Sequence, residues 1–367
     1  MKRGLITFAL LAPVLFGADA SPAPRWRIQY FYDRDDSQFS IHDLGFSSPD
    51  RGIAVGVIAH KKVKLQPMSV ITRDGGKTWT EVPLKESPRS LFVLNDAAAW
   101  IATAQGIWRS DEAGRSWHKI SNQKGVFRVF FRDEMRGWAS GAPKLFAETQ
   151  DGGKTWRPVA AAQQPKSDPE NSYYDWIAFS PDKRGMVMGA SVPQRRERGS
   201  WMDPETLALR REVPSLALIL ESKDDGVTWK PQTAPIFGRL SRFRVSADGL
   251  ALSLVRFVNS FQWPSEVFAV DPNGVSKRVF REKDRSVTDV GWLTGKTALL
   301  AAIEPPGRLH QLPVPGKLHV LRSDDTKKWT EMKVDYKAYG KTAFLSVVSP
   351  DAAWIATDGG QILKLQN

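Results

Sequence analysis

The sequence predicts an all-β protein: a closed ring of seven units, each made of four short antiparallel strands. Three observations predict it. The hexapeptide Asp-Gly-Gly-Lys-Thr-Trp occurs at Asp74–Trp79 and again at Asp151–Trp156, with looser copies at Ser110–Trp117, Ser222–Trp229 and Ser323–Trp329. The tryptophans of these copies are regularly spaced, 38 residues from Trp79 to Trp117 and 39 from Trp117 to Trp156. A second element precedes the copies: Ala98-Ala-Trp-Ile-Ala-Thr103 returns unchanged as Ala352-Ala-Trp-Ile-Ala-Thr357, with relatives at Arg51–Gly56, Arg136–Gly141 and Arg184–Gly189. Self-similarity at a period of about 40 residues marks a repeat architecture.

The turn motif reads Ser/Thr-x-Asp-x-Gly-x-Thr/Ser-Trp. A hydroxyl and a carboxylate two residues apart both suit the backbone N–H groups of a tight turn. Gly76, Gly114, Gly153 and Gly226 suit a position of positive φ. The tryptophan starts the next strand and buries a ring whose N–H needs a partner. The paired residues are Asp74 and Trp79, Glu112 and Trp117, Asp151 and Trp156, Asp224 and Trp229, and Asp325 and Trp329, the last copy having lost its glycine and one residue. Repetition assigns these carboxylates to turn building rather than catalysis.

One unit therefore reads as apolar strand, turn, apolar strand, loop, strand, repeated turn, outer strand. The units fall near 41–84, 88–120, 126–159, 174–232, 239–280, 287–332 and 343–367. The spacing from Trp156 to Trp229, 73 residues, holds one unit with insertions, and the 100 from Trp229 to Trp329 hold two long ones. The last unit has only three strands, Phe344–Val348, Ala353–Thr357 and Gln361–Leu365. Its missing outer strand is supplied by Trp26–Phe31, which closes the ring and removes the exposed edges. Six units is the alternative, because 239–280 lacks the repeated turn and is carried by strand pattern and the turn Asp271-Pro-Asn-Gly274.

The motif resembles the Asp-box, or bacterial neuraminidase repeat, of β-propellers. The combination of Gly-Trp-Ala-x-Gly, a short strand and Thr-x-Asp-Gly-Gly-Lys-Thr-Trp is similar to the photosystem II stability and assembly factor family of seven-bladed propellers, best at 126–159 and 41–84. That resemblance implies an exported or lumenal, non-enzymatic protein that binds a membrane-protein partner through a basic patch. Blades four to six depart from it through insertions and a missing box, so the partner differs in expectation.

Met1-Lys-Arg, the apolar run Gly4–Phe16 of 13 residues and Ala18-Asp-Ala20 read as a secretory signal peptide cleaved after Ala20. The run is short for a bilayer span; an uncleaved anchor is the alternative. The remainder, 21–367, reads as a single propeller domain without a transmembrane segment, a monomer in the periplasm or outside the cell. With no cysteine in the chain, disulfides, lipid attachment and thiol catalysis are excluded. The formal charge is +12 and falls to +11 on cleavage, when Lys2, Arg3 and Asp19 are lost. Such an excess implies acidic partners: an envelope or membrane protein, or an acidic polysaccharide. Nucleic acid fits the charge but not the compartment, and no nucleic-acid fold signature is present.

Loops of a four-stranded blade alternate between the two faces of the disc. The boxes share one face, and the insertions His60–Pro67, Ser191–Pro214, Phe257–Pro264 and Glu304–Lys317 share the other. Long loops on a rigid scaffold commonly carry function. The candidate partner-binding residues are Lys61 and Lys62 in the first insertion; Arg195, Arg196, Arg198, Trp201, Arg210 and Arg211 in the second; Trp263 in the third; and Arg308 in the fourth. Arginine pairs bidentately with carboxylate, and aromatic rings add apolar area.

No catalytic, metal or cofactor residues are assigned. The five histidines lack metal-site spacing, and neither a nucleophile elbow nor a phosphate-cradling glycine loop is present. A sialidase-like glycoside hydrolase or glycan-binding propeller is the rival reading, because sialidases share the box. The nearest match to their N-terminal Arg-Ile-Pro is Arg25-Trp-Arg-Ile-Gln29, which lacks the proline. Asp43, Asp175 and Asp289 stand at similar blade positions on innermost strands and are the candidates to line one channel mouth.

Overall fold

The computed structural model describes residues 23–60, 63–192, 214–257, 263–305 and 315–366. These form strands arranged as successive antiparallel meanders. The first comprises β2 (Ser37–Phe46), β3 (Gly52–His60), β4 (Val63–Thr72) and β5 (Thr80–Pro83). The second comprises β6 (Pro88–Val93), β7 (Ala99–Thr103), β8 (Ile107–Ser110) and β9 (His118–Ser121). The third runs through β10 (Val126–Phe131), β11 (Gly137–Gly141), β12 (Leu145–Thr149) and β13 (Arg157–Pro158). The fourth runs through β14 (Ser172–Phe179), β15 (Gly185–Ser191), β16 (Ser215–Ser222) and β17 (Lys230–Ile236). The fifth is β18 (Arg239–Val245), β19 (Ala251–Arg256), β20 (Ser265–Val270) and β21 (Ser276–Phe280).

The last sheet joins two such meanders. It holds β22 (Ser286–Trp292), β23 (Ala298–Ile303), β24 (Gly316–Ser323) and β25 (Thr330–Val334), continued by β1 (Arg25–Phe31), β29 (Gln361–Gln366), β28 (Ala352–Thr357) and β27 (Ala343–Ser349). The short β26 (Tyr339–Gly340) pairs with the start of β24. As the sequence predicts, β1 completes the final meander, lying antiparallel to β29. The sequence did not signal that β1 also pairs parallel to β25, Arg25 opposite Lys333 and Trp26 opposite Val334. The first strands pack side by side in the order β2, β6, β10, β14, β18, β22, β27, and β27 packs back on β2.

The expected insertion His60–Pro67 is mostly strand. β3 continues to His60, and Pro67 and Gln66 of β4 lie opposite Val57 and Ile58. Pro67 has no N–H to lose from the ladder, and its carbonyl accepts the Leu84 N–H at 3.0 Å.

The core lies between sheets, and aromatic triads explain the repeated sequence elements. Trp100 of β7 stacks on Phe131 of β10, centroids 3.9 Å apart, with Trp156 edge-on to Phe131. Trp138 of β11, Phe179 of β14 and Trp229 repeat the arrangement one sheet on. Trp354 of β28, Phe46 of β2 and Trp79 repeat it where the ring closes, the first two rings 3.6 Å apart. Each triad takes one ring from the second strand of a sheet and two from the sheet that follows, so the repeats stitch neighbours together. Offset and edge-on aromatic contacts add to the apolar area already buried.

In the repeated turns the hydroxyl both accepts and donates. Thr72 Oγ1 accepts the Gly76 N–H and donates to Asp74 Oδ1, each at 2.9 Å, and Asp74 accepts the N–H and hydroxyl of Thr78. Thr149 with Asp151 and Ser222 with Asp224 do the same. Glu112, one methylene longer, accepts the Ser116 hydroxyl at 2.9 Å. Asp325 accepts the N–H groups of Lys327 and Lys328, and Thr326 adopts φ of 58° where the glycine is lost. The indoles of Trp79 and Trp156 donate to the carbonyls of Gly76 and Gly153, and Trp329 donates to Val279. The indole nitrogens of Trp117 and Trp229 are buried without a hydrogen-bond partner.

Candidate functional site

The first strands share a local irregularity. The register shifts between Ile41 and Asp43, Pro88 and Ser90, Val126 and Arg128, Tyr174 and Trp176, Leu240 and Arg242, and Val287 and Asp289. A bulge bends its strand and re-aims side chains. Here it sets a polar or charged residue, or a tryptophan, at the same height on each of these strands.

Two of these residues are carboxylates with matching roles. Asp43 accepts the N–H of Leu44 and, across to the next sheet, that of Leu91, both at 3.0 Å. Asp289 accepts the N–H of Val290 and, across to β27, that of Leu345, both at 2.9 Å. Each also meets an arginine: Arg128 Nη1 lies 3.1 Å from Asp43, and Arg242 Nε lies 3.3 Å from Asp289.

Trp176, 3% exposed, stands between those arginines. The guanidinium of Arg128 on β10 lies 4.5 Å from its ring centroid, and those of Arg242 and Arg244 on β18 lie 4.6 and 4.9 Å away. Its indole N–H is tied to the Phe243 carbonyl at 3.0 Å, which fixes the ring. A ring face attracts cations, and more so when water is excluded. Burial pushes the Arg128 guanidinium below its ordinary value, Asp43 opposes this, and Arg242 and Arg244 reinforce it. Arg256, opposite Arg239 in the ladder, is depressed by burial and by Arg242. Neither Arg244 nor Arg256 has an ion-pair partner among the described residues.

Asp175 is the bulged residue beside Trp176. Burial raises its carboxyl from the ordinary 3.8 to about 6, against the pull of Arg242 and Arg128, and its Oδ1 is buried with no hydrogen-bond partner. The cluster thus combines two arginines paired with carboxylates, two without such a partner, a fixed aromatic face and one under-bonded carboxyl. Guanidiniums without a carboxylate partner suit a carboxylate or another planar anion. Asp43 and Asp289 are poor candidates for acid–base work, since each is committed to two backbone N–H groups and a guanidinium. Among the described residues no group of histidines and carboxylates is arranged to hold a metal ion. Arg25 and Arg27 lie on β1, at the outer end of its four-strand set and away from this cluster.

Within β14, β18 and β19, Arg239 and Arg256 stand at the end beside the segment 258–262, Trp176 and Arg242 stand mid-strand, and Arg244 stands one residue from the opposite end of β18. β14 begins and β15 ends beside the segment 193–213, and β18 begins and β19 ends beside 258–262. Of the candidate partner-binding residues, Lys61, Lys62, Arg195, Arg196, Arg198, Trp201, Arg210, Arg211 and Arg308 lie outside the described residues. Trp263 is half-buried, with the Arg281 guanidinium 4.2 Å and the Lys283 ammonium 5.4 Å from its ring centroid. Arg281 is paired with Glu266 at 3.0 Å. Sequence reasoning missed Arg128, Arg242, Arg244 and Trp176 as a group. The available signal was Arg242-x-Arg244 on one face of a strand that should line the ring's centre, where apolar residues are expected.

Four-stranded antiparallel meanders whose first strands succeed one another around a closed circuit define a β-propeller. No family model and no curated protein matches the chain. Among solved structures it is similar to YCF48 bound to a D1 peptide, with TM-score 0.61 and 18% identity over 95% of this chain and 97% of that one. It is also similar to YCF48 from Cyanidioschyzon merolae, with TM-score 0.60 and 15% identity over 93% and 98% of the two chains. An ancestral GH74 enzyme gives TM-score 0.57 and 11% identity over 92% of this chain and 46% of the enzyme. The resemblance to photosystem II assembly factors drawn from the repeats therefore extends to three dimensions, and at these identities it is a likeness of fold. Among the described residues no helix is long and apolar enough to cross a membrane.

Proposed function

We propose that this chain is an exported, non-enzymatic propeller of seven blades that serves as an assembly or protein-interaction module, binding an acidic segment of an envelope or membrane protein on the face that carries the insertions. The observation that carries this reading is the convergence of Arg128, Arg242 and Arg244 on Trp176. Arginine and tryptophan dominate the energetics of protein interfaces, and Arg244, which has no ion-pair partner among the described residues, leaves a guanidinium available to an incoming carboxylate. The unbroken succession of first strands from β2 to β27 supports the count of seven. The similar fold of YCF48, a protein held there with a D1 peptide, supports a peptide as the class of ligand. Export rests on the signal-peptide pattern at Met1–Ala20.

The test is affinity capture from the native envelope fraction with the mature protein and an Arg242→Glu/Arg244→Glu variant. The expected result is a membrane or envelope protein retained by the first and lost by the second, with both folded. Equal retention by both would remove the cluster from the interface. A partner-free result with activity on sialosides or other glycosides would favour the sialidase-like reading.

A further inference from the structure

The interface between the fourth sheet (β14–β17) and the fifth (β18–β21) differs from the rest. Everywhere else a tryptophan from a repeated turn, or from β1 in its place, wedges against the preceding four-strand set. Trp79 packs in one cluster with Trp354 and Tyr30, Trp117 in one with Ile53 and Val82, Trp156 in one with Trp100 and Ile120, and Trp229 meets Trp138 and Phe146. Trp329 meets Phe280, and Trp26 meets Leu318 and Met332.

The fifth sheet has no such ring. Val270 occupies the ladder position of the turn hydroxyl, opposite Ala251 as Ser110 is opposite Ala99. The turn Asp271–Gly274 then leads directly to Ser276, which pairs with Val270. The other two ring positions are also vacated. Met186 stands where Trp100 and Trp138 stand, and Val245 stands where Phe131 and Phe179 stand. What remains is a cavity of about 210 Å³ with Ala178, Met186, Val245, Ala251 and Val270 in its wall. Its rim is polar, formed by Ser180, Glu221, Lys223 and the turn Asp271–Gly274, and it opens on the face of the repeated turns.

We propose that this cavity is a binding site for one planar aromatic group of indole size, distinct from the arginine cluster and independent of the function proposed above. The fold itself specifies the occupant, because the equivalent space at the other interfaces is filled by an indole. Cavities of this scale with apolar walls take up aromatic molecules. The ring belongs either to a free small molecule or to an aromatic side chain of a partner.

The test is a fluorine-detected NMR titration of the mature protein with 5-fluoroindole. Saturable binding is expected, weakened at least ten-fold in Val245→Phe, which restores the ring found at Phe131 and Phe179. Met186→Phe serves as a second cavity-filling variant, with circular dichroism and thermal midpoints establishing that each is folded. Absence of saturable binding to the parent protein, or equal binding to a folded filled variant, would overturn the proposal. Displacement of the probe by the peptide Gly-Gly-Trp-Gly-Gly as well as by indole supports the site and assigns it to a partner's side chain. Displacement by indole alone supports the site and assigns it to a free ligand.

Discussion

Asp289 of β22 is bonded to the backbone of Leu345 on β27, in the next four-strand set of the same sheet, its Oδ2 accepting that N–H at 2.9 Å. The same carboxylate accepts the Val290 N–H and faces the Arg242 guanidinium, which in turn lies over Trp176. One buried acid therefore joins two four-strand sets and holds one of the arginines of the candidate binding cluster. Asp43 repeats the device between β2 and β6.

Replacing Asp289 by alanine removes three interactions and leaves Arg242 unpaired in a poorly solvated place. The expected loss of stability is about 3–5 kcal/mol, as for breaking one side of a buried pair. Urea unfolding followed by tryptophan fluorescence measures it, and a loss below about 1 kcal/mol would contradict the joining role.

Asp175 gives the opposite pH response to an ordinary paired carboxylate. Its folded value is raised by burial to about 6 from 3.8. Between those values the unfolded chain has released the proton while the folded protein keeps it, so this group's contribution to stability falls as pH rises from about 4 to 6. Above pH 6 the penalty is constant, on the order of 2–3 kcal/mol. Asp175→Asn is expected to remove that fall, seen as a smaller difference in unfolding free energy between pH 4 and pH 7 than in the parent protein.

The turn carboxylates respond in a lower window. The Thr78 hydroxyl and N–H hold Asp74 at about 2, and Asp224 is held at about 2 by Thr228 and Ser222. Their contribution is complete above about pH 4 and is lost as pH falls through 2. Asp74→Ala is expected to cost about 1 kcal/mol or slightly more through lost turn bonds, without changing capture of an envelope partner. Unfolding and capture assays on the same preparation check both halves.

Two glycines separate strain from crowding. Gly226 and Gly274 have φ of 77° and 86°, a region unfavourable to other residues. A Cβ at Gly226 would lie 2.4 Å from the Trp138 ring, whereas one at Gly274 meets nothing within 4 Å. Gly274→Ala is expected to cost about 1–2 kcal/mol from backbone conformation alone. Gly226→Ala is expected to cost clearly more, because the ring of the preceding sheet must also move. Paired urea midpoints decide, and equal losses would show that the ring shifts freely.

The repeats carried most of the architecture in plain view. The strand–turn–strand pattern, the turn glycines, the chain segments of successive sheets and the closing role of Trp26–Phe31 were legible because they depend on neighbours in sequence: side-chain alternation, φ preferences and local hydrogen bonds. The long hairpin at His60–Pro67 was less legible, since Pro67 reads as a loop signal until its place in the ladder is known. The parallel pairing of β1 with β25 was not legible, because it depends on where two distant chain ends meet.

The binding features belong to the tertiary structure. Arg128, Trp176 and Arg242 are separated by dozens of residues, and only the closure of β10, β14 and β18 around a common centre stacks them. The raised value of Asp175 follows from the surroundings that this packing imposes on it. The missing turn in the fifth unit was visible in the sequence. That its absence leaves a cavity follows from Met186 and Val245 meeting there across two sheets. Local preferences determined the strands and turns. Long-range packing decided which charges are desolvated and which space is left unfilled.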